Sequence, residues 1–252
     1  MITFNLESKT AYVTGGARGI GKTVALGLAK NGADVAIVDI DLKMATSVAE
    51  EIKAMGRRSL AISCDVTNPE DVQSMVDTIV KEWGKLDIAF NNAGICINVE
   101  AENMTPQEWK KVIDINLTGV FFTSQAAGKV MIKQKKGVII NTASMSGHIV
   151  NSPQPQCAYN ASKAAVMMLT KSLAVEWAPY NVRVNSLSPG YIATEMTLSA
   201  PAEWKDRWID LTPVKRMGTP KELVSAILYL ADDSASFTTG TDLVVDGGFT
   251  SI

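Results

Sequence analysis

A chain of 252 residues, 46% apolar and 20% charged, is long enough to bury a sizeable core as one α/β domain or two smaller ones. Its formal net charge of −2 gives no electrostatic reason for nucleic acid or an anionic membrane as a partner. The single histidine, His148, excludes a histidine-rich metal site. Cys64, Cys96 and Cys157 stand apart with no C-x-x-C spacing, which fits reduced thiols in the cytoplasm rather than a disulfide framework.

The opening stretch, MITFNLESK, has no apolar run of signal-peptide type. No later run reaches the ~18–20 residues of a membrane span. The first predicted strand, Thr10–Thr14, leads into GGARGIGKT, residues 15–23. From Gly16 this reads as G-x-x-x-x-G-K-T, a loop for nucleoside triphosphates. From Thr14 it reads as T-G-x-x-x-G-x-G, a turn for a dinucleotide. Both use the glycines to aim backbone N–H groups and a helix N-terminus at an anion.

The next predicted strand, Asp34–Asp39, ends in an acid 18 residues after Gly21, the spacing of a carboxylate that bonds an adenosine ribose. Further strands are predicted at Leu60–Cys64, Leu86–Phe90, Gly137–Asn141, Val182–Leu187 and Asp242–Asp246. Their centres are continuously apolar, as in parallel strands covered on both faces. Helices intervene. One opens at Asn68-Pro69 with a stripe at Val72, Met75, Val76, Ile79, Val80 and Trp83. Thr105-Pro106-Gln107-Glu108 and Thr219-Pro220-Lys221-Glu222 are capping boxes with proline at the first helical position. Regular β-α alternation predicts a Rossmann-type doubly wound parallel sheet of seven strands with helices on both faces, a single domain over residues 1–252. Two connections are too long for plain turns: 145–158, a substrate loop, and 190–212, a lid with Tyr191, Trp204 and Trp208. Both follow strand C-termini, where ligands bind in open α/β sheets.

Tyr159-Asn-Ala-Ser-Lys163 places a phenol and an ammonium on one helix face. A cation at ~6 Å in an effective dielectric of ~20 contributes roughly 2.8 kcal/mol, about two pKa units, bringing a tyrosine of pKa near ~10 toward acid–base work. Ser144 ends the VIINTAS strand 15 residues earlier. Its hydroxyl suits a substrate oxygen.

With these residues the sequence resembles the short-chain dehydrogenase/reductase family over essentially its whole length. Thr14, Gly15, Gly19 and Gly21 match the cofactor turn, and Asp65-Val66 match the pair beside the adenine. Asn91-Asn92-Ala93-Gly94 match the motif after the fourth strand. Asn116, Ser144, Tyr159 and Lys163 match the four catalytic positions. Pro189, Gly190, Ile192 and Thr194 fall in the segment that holds the nicotinamide amide. On this reading Lys22 and Thr23 are ordinary first-turn residues. The resemblance implies that Tyr159 exchanges a proton with the substrate oxygen, and that Lys163 lowers its pKa and binds the ribose. It also implies that Ser144 orients that oxygen and that Asn116 holds a relay water. It implies a homotetramer paired through residues 105–134 and 157–178. Met75, Trp83, Phe121, Phe122, Met167 and Met168 are expected in core or subunit interface.

Asp39 predicts NAD, because its carboxylate accepts from ribose hydroxyls and repels a 2′-phosphate. Arg18 lies where the resemblance would also admit NADP, and Ile20 in the same turn is expected to bind the cofactor. The loop and lid resemble the polyol and ketose branch of the family, which includes galactitol, arabinitol and mannitol dehydrogenases and sorbose reductase. Ser146, His148, Asn151 and Gln154 make the loop polar. Ser146 and Asn151 are the expected substrate contacts beside Ser144 and Tyr159, with His148 at the rim. A 3-oxoacyl-carrier-protein reductase and a non-catalytic dinucleotide-binding redox sensor are the alternatives.

Overall fold

The continuous apolar runs do pair in parallel, in a computed structural model that describes residues 4–252. The reading of MITFNLESK falls in part on residues 1–3, outside those described. The strands are β1 (Thr10–Thr14), β2 (Asp34–Asp39), β3 (Ser59–Ser63), β4 (Ile88–Asn91), β5 (Gly137–Thr142), β6 (Val182–Pro189) and β7 (Asp242–Val245). They form one sheet in the order β3-β2-β1-β4-β5-β6-β7, every pair parallel. Alternate residues of each strand enter opposite layers. Ala11 and Val13 join a core with α1 (Gly19–Lys30), α2 (Leu42–Ala54) and α9 (Val224–Ala231). Tyr12 joins the other, with α3 (Pro69–Trp83), α5 (Gly119–Gln134) and α6 (Cys157–Trp177). Three further α-helices lie among the described residues: α4 (Pro106–Ile113), α7 (Glu195–Leu198) and α8 (Ala202–Leu211). No helix among the described residues is long and apolar enough to cross a membrane.

The fourth strand starts two residues later than its apolar run suggests. Gln134 is the reason: its side-chain amide takes both the N–H (3.0 Å) and the carbonyl (2.8 Å) of Leu86, removing that residue from the ladder. The third strand starts and ends one residue earlier than expected, because Val35 pairs with Ser59 and Asp39 with Ser63. The sixth runs on through Pro189, which pairs with Val245 of β7. Asn68 caps α3 by accepting from the N–H groups of Glu70 and Asp71. Both capping boxes form, but Thr219 opens a 3₁₀ turn, Pro220–Leu223, ahead of α9. Of the large side chains expected in core or interface, Met75 is buried, and Trp83, Phe122 and Met167 pack against the core. Phe121 and Met168 are exposed.

A polar seam crosses the second layer beneath the strand ends. The Tyr12 hydroxyl donates to Asn91 Oδ1 (2.8 Å), Asn91 Nδ2 donates to Ser124 Oγ and Asn141 Oδ1 (both 2.9 Å), and Asn141 Nδ2 donates to Thr170 Oγ1 (3.0 Å). Asn91 is 1% exposed, so water cannot replace it. Asn91→Leu removes one partner from three buried groups and is expected to destabilise the fold by roughly 2–4 kcal/mol. Chemical denaturation reads this; a loss under ~1 kcal/mol would mean that the seam is not a structural tie.

Candidate active site

Successive connections run outward from β1 to β2 and β3, then return to β4 on the other side. The chain therefore parts between β1 and β4, and a cavity of about 600 Å³ opens at their C-terminal ends. Its near wall is the glycine turn. Gly19 has φ +54°, where a side chain is strained, and a Cβ on Gly21 would lie 2.1 Å from the Gly15 carbonyl oxygen. Arg18, at the N-cap of α1, makes no side-chain cap bond, so the first-turn N–H groups remain available beside the cavity. Lys22 and Thr23 do not line it. Lys22 pairs with Glu51 at 2.7 Å and Thr23 Oγ1 donates to Gly19 O at 2.9 Å. The triphosphate reading of GGARGIGKT therefore lacks the two side chains it needs.

Asp39 borders the cavity with its carboxylate already oriented. Oδ2 accepts the Ala17 N–H and Oδ1 the Asp41 N–H, both at 3.1 Å. Arg18 does not meet it; its guanidinium lies 3.9 Å from Glu195 of α7, across the mouth of the cleft. Asp65, Val66, Asn92, Ala93, Gly94 and Thr194 also line the cavity. Asn92 ties the β4 end to the glycine turn, donating to Thr14 O (3.1 Å) and Gly15 O (3.3 Å). Gly21, Pro189, Gly190 and Ile192 stand behind the wall. Ile192 belongs to the first core layer, and a Cβ on Gly190 would meet Asp246 Cα at 2.7 Å.

Tyr159 and Lys163 close the inner end. The Lys163 Nζ lies 5.6 Å from the centre of the Tyr159 ring and donates to Thr142 O at 2.6 Å. The tyrosine is not lowered as the i, i+4 spacing predicts. Burial pushes it up to about 12, reinforced by the neighbouring Cys96 and opposed by a bond to Ser144. Lys163 is itself buried, and desolvation brings it down to about 8. A cation so weakened offsets little of the cost of burying a phenolate.

The Ser144 hydroxyl accepts the Ser146 N–H at 3.1 Å. Asn116 sits in a π-helical turn, Asp114–Thr118, and exchanges two bonds with the Ile95 backbone, giving to its carbonyl (2.9 Å) and accepting from its N–H (2.8 Å). Its second amide hydrogen reaches Ser162 Oγ at 3.2 Å. Its side chain is thus a strut between the β4–α4 segment and α6.

In the loop after Ser144, Ser146, Asn151, Gln154 and Gln156 are buried and bonded within the fold, while His148, Val150, Ser152 and Pro153 are exposed. Asn151 Nδ2 (3.0 Å) and Gln154 Nε2 (2.9 Å) both donate to the Tyr191 hydroxyl, and Trp208 Nε1 donates to Gln154 Oε1 at 2.9 Å. Tyr191 stacks on Trp208 with ring centres 4.3 Å apart. Ser146 and Asn151, expected as substrate contacts, face Gln156 instead, whose Nε2 lies 3.3 Å from Ser146 Oγ and 3.0 Å from Asn151 Oδ1. His148 is exposed and bonded to Asp242 of β7 at 2.7 Å, and it does not line the cavity. Sequence reasoning missed Cys96, Thr142 and Glu195 in the cavity wall, and Gln156 behind it. No spacing rule marks them; only the fold brings them to the site.

The family model described as enoyl-(acyl carrier protein) reductase matches residues 15–250. A solved short-chain type dehydrogenase/reductase from Mycobacterium marinum is 47% identical and superposes with a TM-score of 0.95, over 98% of this chain and 97% of that one. The chain belongs to the short-chain dehydrogenase/reductase family. A probable NADP-dependent mannitol dehydrogenase of Yarrowia lipolytica is 46% identical over 252 residues, covering 99% of this chain and 90% of the relative. A sorbose reductase of Candida albicans is 45% identical over 250 residues, covering 98% and 89%. The protein is therefore an NAD(P)-dependent oxidoreductase acting on CH–OH groups. The cleft fits such a cofactor: an uncapped helix start for the pyrophosphate, a fixed carboxylate at Asp39, and a glycine turn that leaves no room for side chains.

The buried lysine has a pH signature. Its folded value of about 8 lies below the ordinary 10.5, so the unfolded chain binds more protons between them and the fold gains stability as pH rises through that window. The raised Tyr159 opposes this only above its ordinary 10.0. The melting temperature of the cofactor-free wild type, minus that of Lys163→Met, is expected to rise from about pH 7.5 to about pH 9.5. A flat difference would count against a buried, depressed lysine.

Proposed function

We propose that this enzyme interconverts an acyclic polyol and its ketose with NAD(H), in the cytoplasm. The observation that carries the substrate is the buried polar cluster in the loop between Ser144 and Tyr159. Ser146, Asn151, Gln154 and Gln156 are each under 8% exposed there, an environment suited to hydroxyls and hostile to an acyl chain. The printed activities of the mannitol dehydrogenase and sorbose reductase relatives support the same class.

The bound nicotinamide supplies the carbon that exchanges hydride with the substrate. Tyr159 holds the proton at the substrate oxygen. At a value of about 12 its resting form is the neutral phenol, ready to donate in ketose reduction. In polyol oxidation the phenolate must form, and the Lys163 ammonium is the positive group beside it. Ser144 bonds the same oxygen and fixes which carbon faces the cofactor. Lys163 also reaches the ribose hydroxyls, and Asn116 keeps Ile95 and α6 in register. The Gly15–Gly21 turn would receive the pyrophosphate, Asp39 the adenosine ribose, and Asp65 and Val66 the adenine. Asn92, Ala93 and Gly94 would serve the nicotinamide side, and Pro189, Gly190, Ile192 and Thr194 its amide. Ser146 and Asn151 shape the compartment through their bonds to Gln156. The loop 145–158 and the lid 190–212 close it. A homotetramer is proposed through α4–α6, supported by the exposed apolar side chains of Trp109, Phe121, Met168 and Val175.

Rates followed at the nicotinamide absorbance test the substrate. A pentitol or hexitol is expected to exceed 2-butanol in kcat/KM by at least ~10-fold per missing hydroxyl. Equal efficiency, or preference for an acyl thioester, would defeat the polyol reading and favour a 3-oxoacyl-carrier-protein reductase.

The cofactor is tested separately. Asp39→Ala removes the carboxylate that repels a 2′-phosphate and is expected to move the NADP to NAD specificity ratio upward by roughly 10- to 150-fold. A wild type that already prefers NADP would overturn the assignment of Asp39 as the deciding charge.

A further inference from the structure

Gln156 is 7% exposed, lies three residues before Tyr159, and makes no cap bond at the start of α6. Its amide is asymmetrically satisfied. Nε2 sits among three oxygens: Ser146 Oγ at 3.3 Å, Asn151 Oδ1 at 3.0 Å and Asn160 Oδ1 at 2.8 Å. An amide nitrogen has two hydrogens, so this end is saturated. With Asn151 and Asn160 oriented as they are, the reversed amide would set an oxygen against two carbonyl oxygens.

Oε1 therefore faces the other way, toward the cavity wall. Its one partner there is the Cys96 thiol, at 3.7 Å. Thiols are weak donors, and burial pushes Cys96 up to about 11, so it stays S–H. Cys96 lines the cavity together with Tyr159 and Lys163. The neighbouring loop amides are placed differently: Asn151 Oδ1 accepts from Gln156, and Gln154 Oε1 accepts from Trp208. A buried carbonyl oxygen held by a poor donor, just behind the wall that Cys96 shares with Tyr159 and Lys163, is an acceptor waiting for a better hydrogen bond.

We propose that Gln156 Oε1 accepts a hydrogen bond from the substrate hydroxyl on the carbon next to the one being oxidised, displacing the Cys96 contact. Gln156 is thus a specificity-determining residue, and the loop residues Ser146, Asn151 and Asn160 act through it by fixing its amide. This rests on the reading of the substrate as a polyhydroxylated alcohol, but its test does not require a sugar alcohol.

The pair 2,3-butanediol and 2-butanol differs by one adjacent hydroxyl. Wild type is expected to prefer the diol by at least ~10-fold in kcat/KM, and Gln156→Met to bring that ratio close to one. Two variants at the contacting thiol cover the case in which Gln156→Met fails to fold. Cys96→Ser supplies a stronger donor that competes for Oε1, so the ratio falls mainly through a higher KM for the diol. Cys96→Ala removes the competitor, so the ratio holds or rises. Opposite responses to serine and alanine are not what a purely structural role at this position would give. Retention of the diol preference in Gln156→Met, or movement of both Cys96 variants in the same direction, would overturn the proposal. A wild type that shows the diol preference yet fails to prefer a pentitol over 2-butanol would remove the polyol reading and leave Gln156 in place.

Discussion

Lys163 holds an ammonium at 2% exposure, with one hydrogen bond, to the carbonyl of Thr142 at the end of β5. A charge kept from water is costly unless its surroundings are fixed to meet it, and much of the cleft can be understood as that fixing. The helix that carries it is 21 residues long and buries Ala158, Ser162, Val166, Thr170 and Leu173 on the same side. Asn116 pins that helix to Ile95 through Ser162, from a turn wound one residue wider than its flanking α-helices. Gly94 passes so close that a Cβ there would sit 3.3 Å from Asn116 Oδ1 and 3.6 Å from the Lys163 Nζ. The same burial divides the labour of the pair. Desolvation lowers the lysine and raises the tyrosine, so the neutral phenol is the ground state of the cofactor-free cleft.

Beneath this lies a second constraint, of neutral groups. Tyr12, Asn91, Ser124, Asn141 and Thr170 link β1, β4, β5, α5 and α6 by side-chain bonds alone. Hydrophobic contact is non-directional and would tolerate a small sliding of α6 over the sheet. Fully satisfied polar bonds do not. The position of Lys163 over Thr142 is thus set from below by the seam and from the side by Asn116.

The sheet was legible because parallel strands covered on both faces leave continuous apolar runs, and because capping at Asn68 and Thr105 is a local affair. Tyr159 and Lys163 were legible for a similar reason: i, i+4 geometry needs no knowledge of the fold. What escaped were partners set by tertiary structure. Leu86 looks like strand until Gln134, 48 residues away, takes its backbone. Asn151 and Ser146 look like free polar groups until Tyr191 and Gln156 claim them. For Tyr159 an i, i+4 spacing gives the distance to a cation but not the desolvation of both groups, which raises the phenol and lowers the ammonium. Gln156 is the converse case, a residue with no motif whose significance lies entirely in what surrounds each end of its amide.

The cofactor turn shows how such partners alter an electrostatic contest. In sequence, Arg18 and Asp39 are opposing charges at one site, and the outcome depends on which lies closer to the ribose. In the fold both border the same cavity, but their side chains do not meet. Two backbone N–H groups hold the Asp39 carboxylate in place, one on each oxygen. The Arg18 side chain is 68% exposed and lies toward Glu195, itself 76% exposed. A pair so open to water is worth little, so Glu195 does not immobilise the arginine. The asymmetry is therefore one of preorganisation. Asp39 meets any ligand in a fixed position at no further entropic cost, whereas Arg18 must be ordered before it can meet a phosphate. Of the two charges, the carboxylate is the one whose position is already set.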